Sequence, residues 1–121
     1  MEAFDTRRTL RQNSDHLAVD DLELAGKTEI PNLTIERVVE EDVTSPAGKK
    51  SKMAVVYFKG AKKGLACNVT NTRRIAQIAG GSYMSSDWIG QTVTLCLEDG
   101  KLFGGGRGPT LRVKAQMRGD R

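Results

Sequence analysis

The sequence predicts a small five-stranded barrel of the OB type with one helix, in the order β-β-β-α-β-β. Two observations predict it. Five stretches in which apolar and polar residues alternate, as in half-buried strands, are separated by turn-rich loops. Between the third and fourth stretches the apolar spacing becomes that of a helix. A flatter five-stranded sheet with one packed helix is the alternative, because periodicity does not prove that a barrel closes.

The chain of 121 residues fits one domain with a modest core. We expect a mobile amino-terminal arm over residues 1–22, the barrel over residues 23–115 and a tail over residues 116–121. The first strand lies in residues 24–43, where Gly26 and Pro31 interrupt the pattern, so it is expected to be long and bent.

The second strand is expected over residues 53–59, and its two faces can be told apart. The inward set is Ala54, Val56 and Phe58. The outward set, which contains a lysine, is Met53, Val55, Tyr57 and Lys59. A short loop follows, and the inward set of the third strand is Leu65, Cys67 and Val69.

The helix is expected to begin near residues 70–72, whose side-chain oxygens suit a cap, and to end at Gly80-Gly81. Its apolar residues at helical spacing are Ile75, Ala76, Ile78 and Ala79. The fourth strand is expected over residues 88–97, with Trp88 packed in the core or at its rim. In the fifth, Leu111 and Val113 alternate with Arg112 and Lys114.

Formal charge is divided unevenly along the chain. Residues 1–48 hold 5 Lys or Arg against 11 Asp or Glu, a net charge of −6. Residues 49–121 hold 14 Lys or Arg against 4 Asp or Glu, a net charge of +10, and the whole chain carries +4. This asymmetry suggests a polyanionic partner for the basic portion. The alternative is that the two portions mainly neutralise each other within one fold.

OB-folds bind nucleic acid across the second and third strands, between the loops that join strands one to two and four to five. The sequence places cations and two aromatic residues in these positions. The candidate nucleic-acid-binding residues are Lys49, Lys50, Lys52, Tyr57, Lys59, Lys62, Lys63, Lys101, Phe103, Arg107 and Arg112. Tyr57 and Phe103 could stack on bases. Alternatively, Tyr57 covers the sheet, Phe103 belongs to a hairpin tip, and the lysines discourage edge pairing.

The sequence gives no sign of catalysis, of a metal or of another cofactor. The single histidine, His16, has no nearby partner for a catalytic arrangement, and adjacent carboxylates on a strand point to opposite faces. Cys67 and Cys96 lie in apolar patterns, so we expect both to be reduced core residues. No apolar run is long enough to span a membrane, and a cytoplasmic protein is expected.

Short motifs from the second strand to the fifth resemble a family of small proteins of tailed bacteriophages and prophages, mostly of unassigned function. The motifs are Tyr57-Phe58-Lys59-Gly60, Lys63-Gly64-Leu65, Asn68, Thr70-Asn71, Ile75-Ala76, Asp87-Trp88-Ile89-Gly90, Thr94-Leu95 and Arg112-Val113. The resemblance covers roughly residues 22–114 and implies an OB-like fold and a role in nucleic-acid metabolism. The chain departs from the family's pattern at residues 97–100 and in the glycine run of residues 104–108.

The first functional hypothesis is therefore a non-catalytic accessory protein that binds single-stranded nucleic acid, DNA being favoured, in phage replication or recombination. The alternative is a protein-interaction module that docks on a phage or host protein, to block a host defence or to join a virion. The acidic portion supports this alternative, because an acidic surface can repel or mimic nucleic acid. Either protein could form oligomers.

Overall fold

The structure, a computed structural model, contains more strand than helix. It describes residues 3, 6–8, 16–44, 48–101 and 106–115, with Lys101 described by its backbone alone. The elements are α1 (Val19–Leu24), β1 (Glu29–Thr44), β2 (Lys50–Phe58), β3 (Leu65–Ala66), α2 (Val69–Ile78), α3 (Ser85–Trp88), β4 (Thr92–Lys101) and β5 (Arg107–Val113). The predicted mostly β fold, with five antiparallel strands and a helix between the third and the fourth, is confirmed.

β1 lies at the centre of the sheet, whose strand order is β3-β2-β1-β4-β5. Its first part, residues 29–34, pairs with β4, and its second part, residues 35–44, pairs with β2. The register shifts within the first part and again between Ile35 and Arg37. Such irregularities bend a strand and increase its twist. The expected bend of the first strand is therefore present. The strand begins at Glu29 instead of residue 24, because residues up to Leu24 belong to α1.

The sheet is open, since no backbone pairing joins β3 to β5 in the part of the chain that the structure describes. The N–H of Lys114 donates to the carbonyl of Thr94 at 2.7 Å. Successive residues of a strand point their backbone groups in opposite directions, so the N–H and C=O of Val113 face the open edge of β5. Pro109 has the same orientation and offers no N–H, which discourages the addition of another strand.

Helix α2 satisfies this open edge with polar side chains. Oδ1 of Asn71 accepts a hydrogen bond from the N–H of Val113 at 2.9 Å, and its Nδ2 donates to the carbonyl of Leu111 at 3.2 Å. Nη1 of Arg74 donates to the carbonyl of Val113 at 3.0 Å. Side chains of α2 therefore occupy part of the place that a closing strand would take.

α2 begins and ends at residues suited to helix termini. The side chain of Asn68, rather than one of residues 70–72 as predicted, accepts a hydrogen bond from the N–H of Asn71 at 2.9 Å. At the other end Gly80 adopts a φ of +76°, and the N–H of Gly81 donates back to a helix carbonyl at 2.7 Å. The predicted end at this glycine pair is confirmed.

Several strand boundaries differ from those predicted. β2 begins at Lys50 instead of residue 53, so Lys50 and Lys52, predicted in the loop before it, lie within the strand. β3 is only two residues long because the cap at Asn68 starts α2, so Val69 begins the helix and is 66% exposed instead of facing inwards. Trp88, placed at the start of the fourth strand, ends α3, and β4 begins at Thr92. Trp88 does pack in the core: it is 2% exposed, and its Nε1 donates to the carbonyl of Ser82 at 2.9 Å.

The core lies between the sheet and α2. Its tightly packed members are Ile35, Val56, Phe58, Leu65, Cys67, Ile75, Ala76, Trp88, Val93, Leu95 and Val113. Cys67 and Cys96 are buried free thiols, as predicted. Burial raises the pKa of Cys67 to about 12, so that thiol stays protonated at neutral pH.

The outer face of β2 is partly covered. Val55, predicted to face outwards, is fully buried. The side chains of Val55 and Tyr57 pack closely against Gly64, where an added Cβ would lie 2.8 Å from each of them. Residues before α1 pack beside Gly64, to whose carbonyl the N–H of Leu17 donates at 2.8 Å. Alternation alone did not predict the burial of Val55 because the chain packs on both faces of β2.

Candidate nucleic-acid interface

Lys49, Lys50 and Lys52 lie at the end of the β1–β2 hairpin and are exposed. Lys52 lies opposite Asp42, with its Nζ 3.6 Å from Oδ1. Both side chains of this pair are about two-thirds exposed, at 65% and 69%, so the ion pair contributes little to stability. Lys50 forms no ion pair with any described residue. The hairpin therefore presents cations that a phosphate group can reach.

The loop between β2 and β3 holds Lys59, Lys62 and Lys63 in two different environments. Lys59 and Lys62 are exposed, and neither forms an ion pair within the described ranges. Nζ of Lys63 lies 2.7 Å from Oδ1 of Asp21, and these side chains are only 21% and 14% exposed. Lys63 therefore attaches α1 to the loop, and its charge is already opposed by a carboxylate.

Tyr57 lies on the outer face of β2 as predicted, within a polar cluster. Its hydroxyl donates to Oε2 of Glu41 at 2.5 Å, and the guanidinium carbon of Arg37 lies 4.0 Å from the ring centroid. Nε2 of His16 lies 3.1 Å from Oε1 of Glu41. The hydrogen bond from Tyr57, and then that with His16, lowers the pKa of Glu41 below its ordinary value. The ring is therefore fixed in place, with Arg37 over one face.

Arg37 and Glu41 are the members of this cluster that sequence reasoning missed. A signal for Arg37 was present in the hairpin register. Once Thr44 is placed opposite Lys50, regular antiparallel pairing puts Arg37 opposite Tyr57. The approach of Glu41 to Tyr57 is not a direct cross-strand pair and needed the three-dimensional structure.

The β4–β5 hairpin carries the remaining predicted residues. Nε of Arg107 lies 3.0 Å from Oδ2 of Asp99, and both side chains are about two-thirds exposed, at 66% and 68%. Arg112 is half-buried on β5. Lys101 pairs with Arg107 through the backbone ladder. Phe103 lies outside the described residues, as does the predicted tail.

The two hairpin ends do not come together along β1. The β1–β2 hairpin turns beyond Thr44, whereas β4 passes Glu29 at Cys96 and continues to Lys101. The ends of the two hairpins therefore lie beyond opposite ends of β1. The loop that follows β2 lies between them, because the N–H of Lys59 donates to the carbonyl of Thr34 within β1. The predicted cations form three groups along the sheet instead of one cluster.

Ion pairs join the acidic and basic portions of the chain. Among the described residues these pairs are Lys52–Asp42, Lys63–Asp21 and Lys114–Glu29. Partial neutralisation within the fold, the alternative drawn from the charge asymmetry, is therefore observed. Lys50, Lys59 and Lys62 keep their charge unopposed by a described carboxylate, and they lie on the β1–β2 hairpin and the loop after it.

The described ranges contain no group of three or more His, Cys, Asp or Glu side chains placed to hold a metal ion. None of their helices has the length and apolar character needed to cross a membrane. Comparison with known protein families, curated proteins and solved structures finds no match for the chain.

Proposed function

We propose that the chain is a non-catalytic accessory protein that binds single-stranded nucleic acid, DNA in preference, on an OB-like barrel. The OB-fold is a partly open Greek-key barrel of five strands. A sheet in the order β3-β2-β1-β4-β5, with a helix between β3 and β4, supports this assignment. The resemblance to phage proteins supports a role in phage DNA replication or recombination in the cytoplasm of the host.

The observation that carries the proposal is the position of the unopposed cations. Lys50, Lys59 and Lys62 are exposed on the β1–β2 hairpin and the β2–β3 loop, beside the strands that OB-folds use for nucleic acid. Lys52 can exchange an exposed carboxylate for a phosphate at little cost. On the opposite face of β2 from Lys50 and Lys52, Tyr57 and Arg37 present a stacked pair of the kind that supports bases.

A labelled oligothymidylate tests this proposal by fluorescence anisotropy. If three phosphates are neutralised, the logarithm of the affinity falls by about 2.1 per decade of salt, which is roughly a 20-fold loss between about 50 and 200 mM. The triple substitution Lys50→Gln, Lys59→Gln and Lys62→Gln should remove most of this dependence. Lys114→Gln is the matched control, because Lys114 is exposed but paired with Glu29 on the β4–β5 side.

Three outcomes would count against nucleic-acid binding. The first is no binding even at low salt, and the second is binding that is indifferent to salt. The third is an equal loss of affinity in the triple variant and in Lys114→Gln, which would show that the β1–β2 hairpin and β2–β3 loop are not the contact surface.

A protein-interaction module that docks on a phage or host protein is the second candidate. It is favoured by the carboxylates that already oppose Lys52, Lys63 and Arg107. Capture of partners from infected cells, with and without nuclease treatment, separates the candidates. A protein retained by the full chain after nuclease treatment favours docking, whereas loss of every partner favours nucleic acid.

A further inference from the structure

The connection between α2 and β4 exposes large apolar side chains. Tyr83 is 62% exposed, Met84 is 65% exposed and Ile89 is 53% exposed. Isolated apolar residues are common on protein surfaces, but these three flank one short helix, α3. Tyrosine and methionine are also enriched in the centres of protein interfaces.

A network of hydrogen bonds fixes the backbone that carries Tyr83 and Met84. The Trp88 ring is buried, and its Nε1 donates to the carbonyl of Ser82 at 2.9 Å. The hydroxyl of Ser82 donates to Asp87 at 2.5 Å and accepts from the N–H of Met84 at 3.2 Å. A backbone held in this way loses little conformational entropy when a partner binds.

An open cleft of about 200 Å³ lies beside this turn. Its apolar lining includes Val38 of β1 and Ala54 of β2, which lie on one face of the hairpin ladder. Ser85, the residue after Met84, lines the cleft from α3, and Glu40 lines it from β1. The cleft therefore offers an apolar recess with a carboxylate in its wall.

The charged groups on the elements around the cleft favour a cationic partner. Glu40 forms no ion pair with a described residue and is exposed. Asp42 lies on the same strand face, where Lys52 opposes it, and Asp87 is exposed on α3. Nucleic acid is disfavoured here because phosphates would meet Glu40 and Asp87.

We propose that this surface binds a segment of another protein in which a large apolar side chain lies next to Lys or Arg. The apolar side chain enters the cleft beside Met84, and the cation faces Glu40. The proposal goes beyond nucleic-acid binding and does not depend on it. Lys59 and Lys62 lie in the loop after β2, and Lys50 lies four residues before Ala54, at the turn end of the hairpin. It gives a docking surface to the second candidate function.

The probe is a library of short random peptides, displayed and selected on the full chain. We expect enriched sequences in which an aromatic or long aliphatic residue adjoins Lys or Arg. A free peptide of that sequence, followed by fluorescence anisotropy, should bind at least about tenfold more weakly to Met84→Ser and to Glu40→Lys. Val69→Ser is the matched control, since Val69 is equally exposed at the start of α2.

Several results would overturn the proposal. One is that the selection enriches acidic peptides or enriches no peptide. Another is that the peptide binds Met84→Ser and Glu40→Lys as tightly as wild type, or that Val69→Ser weakens binding as much as they do. Displacement of the peptide by oligothymidylate would assign the surface to nucleic acid. A wild-type dimer that Met84→Ser converts to a monomer in sedimentation would identify a second copy of the chain as the occupant. The oligonucleotide titration can fail without affecting the peptide result, so the two proposals are tested separately.

Discussion

Replacing Asn71 by Leu tests whether α2 stabilises the open edge of β5. Asn71 is 1% exposed, and its amide is bonded to the N–H of Val113 and the carbonyl of Leu111. Leucine has a similar size, so the change removes both hydrogen bonds without leaving a large cavity. Val113 is fully buried, and its N–H is left without a partner.

The expected loss of stability follows from these two unpaired groups. A buried donor or acceptor that loses its partner costs about 1–3 kcal/mol. Val113 lies at the upper part of that range because it is fully buried, and half-buried Leu111 lies at the lower part. The free energy of unfolding should fall by about 3–5 kcal/mol, a large share of the roughly 5–15 kcal/mol typical of a domain.

Urea denaturation followed by far-ultraviolet circular dichroism measures this loss, and the slope of the transition should not change. Gln77→Ala is the control, because Gln77 is exposed on the same helix and its substitution should change stability by less than about 0.5 kcal/mol. Amide exchange gives a second readout, since the Val113 N–H should exchange faster in Asn71→Leu. A loss below about 1 kcal/mol with unchanged exchange at Val113 would refute this account of the open edge.

Two further predictions concern packing and pH. Gly64→Ala should lower the free energy of unfolding by about 1–3 kcal/mol, because its Cβ would come within 2.8 Å of Val55, which is fully buried and cannot yield. Chemical denaturation measures this loss of stability, with Lys62→Ala in the same loop as the control. A denaturation midpoint for Gly64→Ala equal to that of wild type would contradict the prediction. The hydrogen bond from Arg74 lowers the pKa of Glu98 in the folded state below its value in the unfolded state. The ionised Glu98 therefore stabilises the fold at any pH above its unfolded-state pKa. This contribution is lost as the pH falls through the folded-state pKa. Glu98→Gln should therefore be less stable than wild type at neutral pH and converge with it in acid; an equal difference at both pH values would show that the ion pair is not the cause.

Most of the strand pattern could be predicted because it depends on local alternation. Phe58 is buried and Tyr57 lies on the outer face of β2, as the alternation predicts, and Gly80-Gly81 follows α2 where the helical spacing stops. The third strand was predicted too long because Val69 fits an apolar alternation equally well. The cap at Asn68 decides the matter, and its strength depends on the helix that follows.

The candidate site could be predicted only as a set of cations in loops. Turn residues place Lys50, Lys59 and Lys62 in loops. The structure agrees for Lys59 and Lys62, whereas Lys50 begins β2 opposite Thr44. The partner of Lys63 could not be predicted, since Asp21 lies 42 residues earlier and meets it only when α1 packs on the loop. Exposed turns such as the one carrying Tyr83 have no periodic signal at all.

The Lys–Asp pair on the β1–β2 hairpin and the one on the β2–β3 loop differ in what they can contribute to binding. The Lys63–Asp21 pair is mostly buried, and salt screens such pairs weakly. Separating it would release α1 from the loop. The Lys52–Asp42 pair is exposed, so its Coulomb energy is small and a phosphate can replace Asp42 without disturbing the fold. The proposed contact with nucleic acid therefore belongs to the exposed lysines of the hairpin and loop, and Lys63, although basic and adjacent, belongs to the packing of the amino-terminal segment.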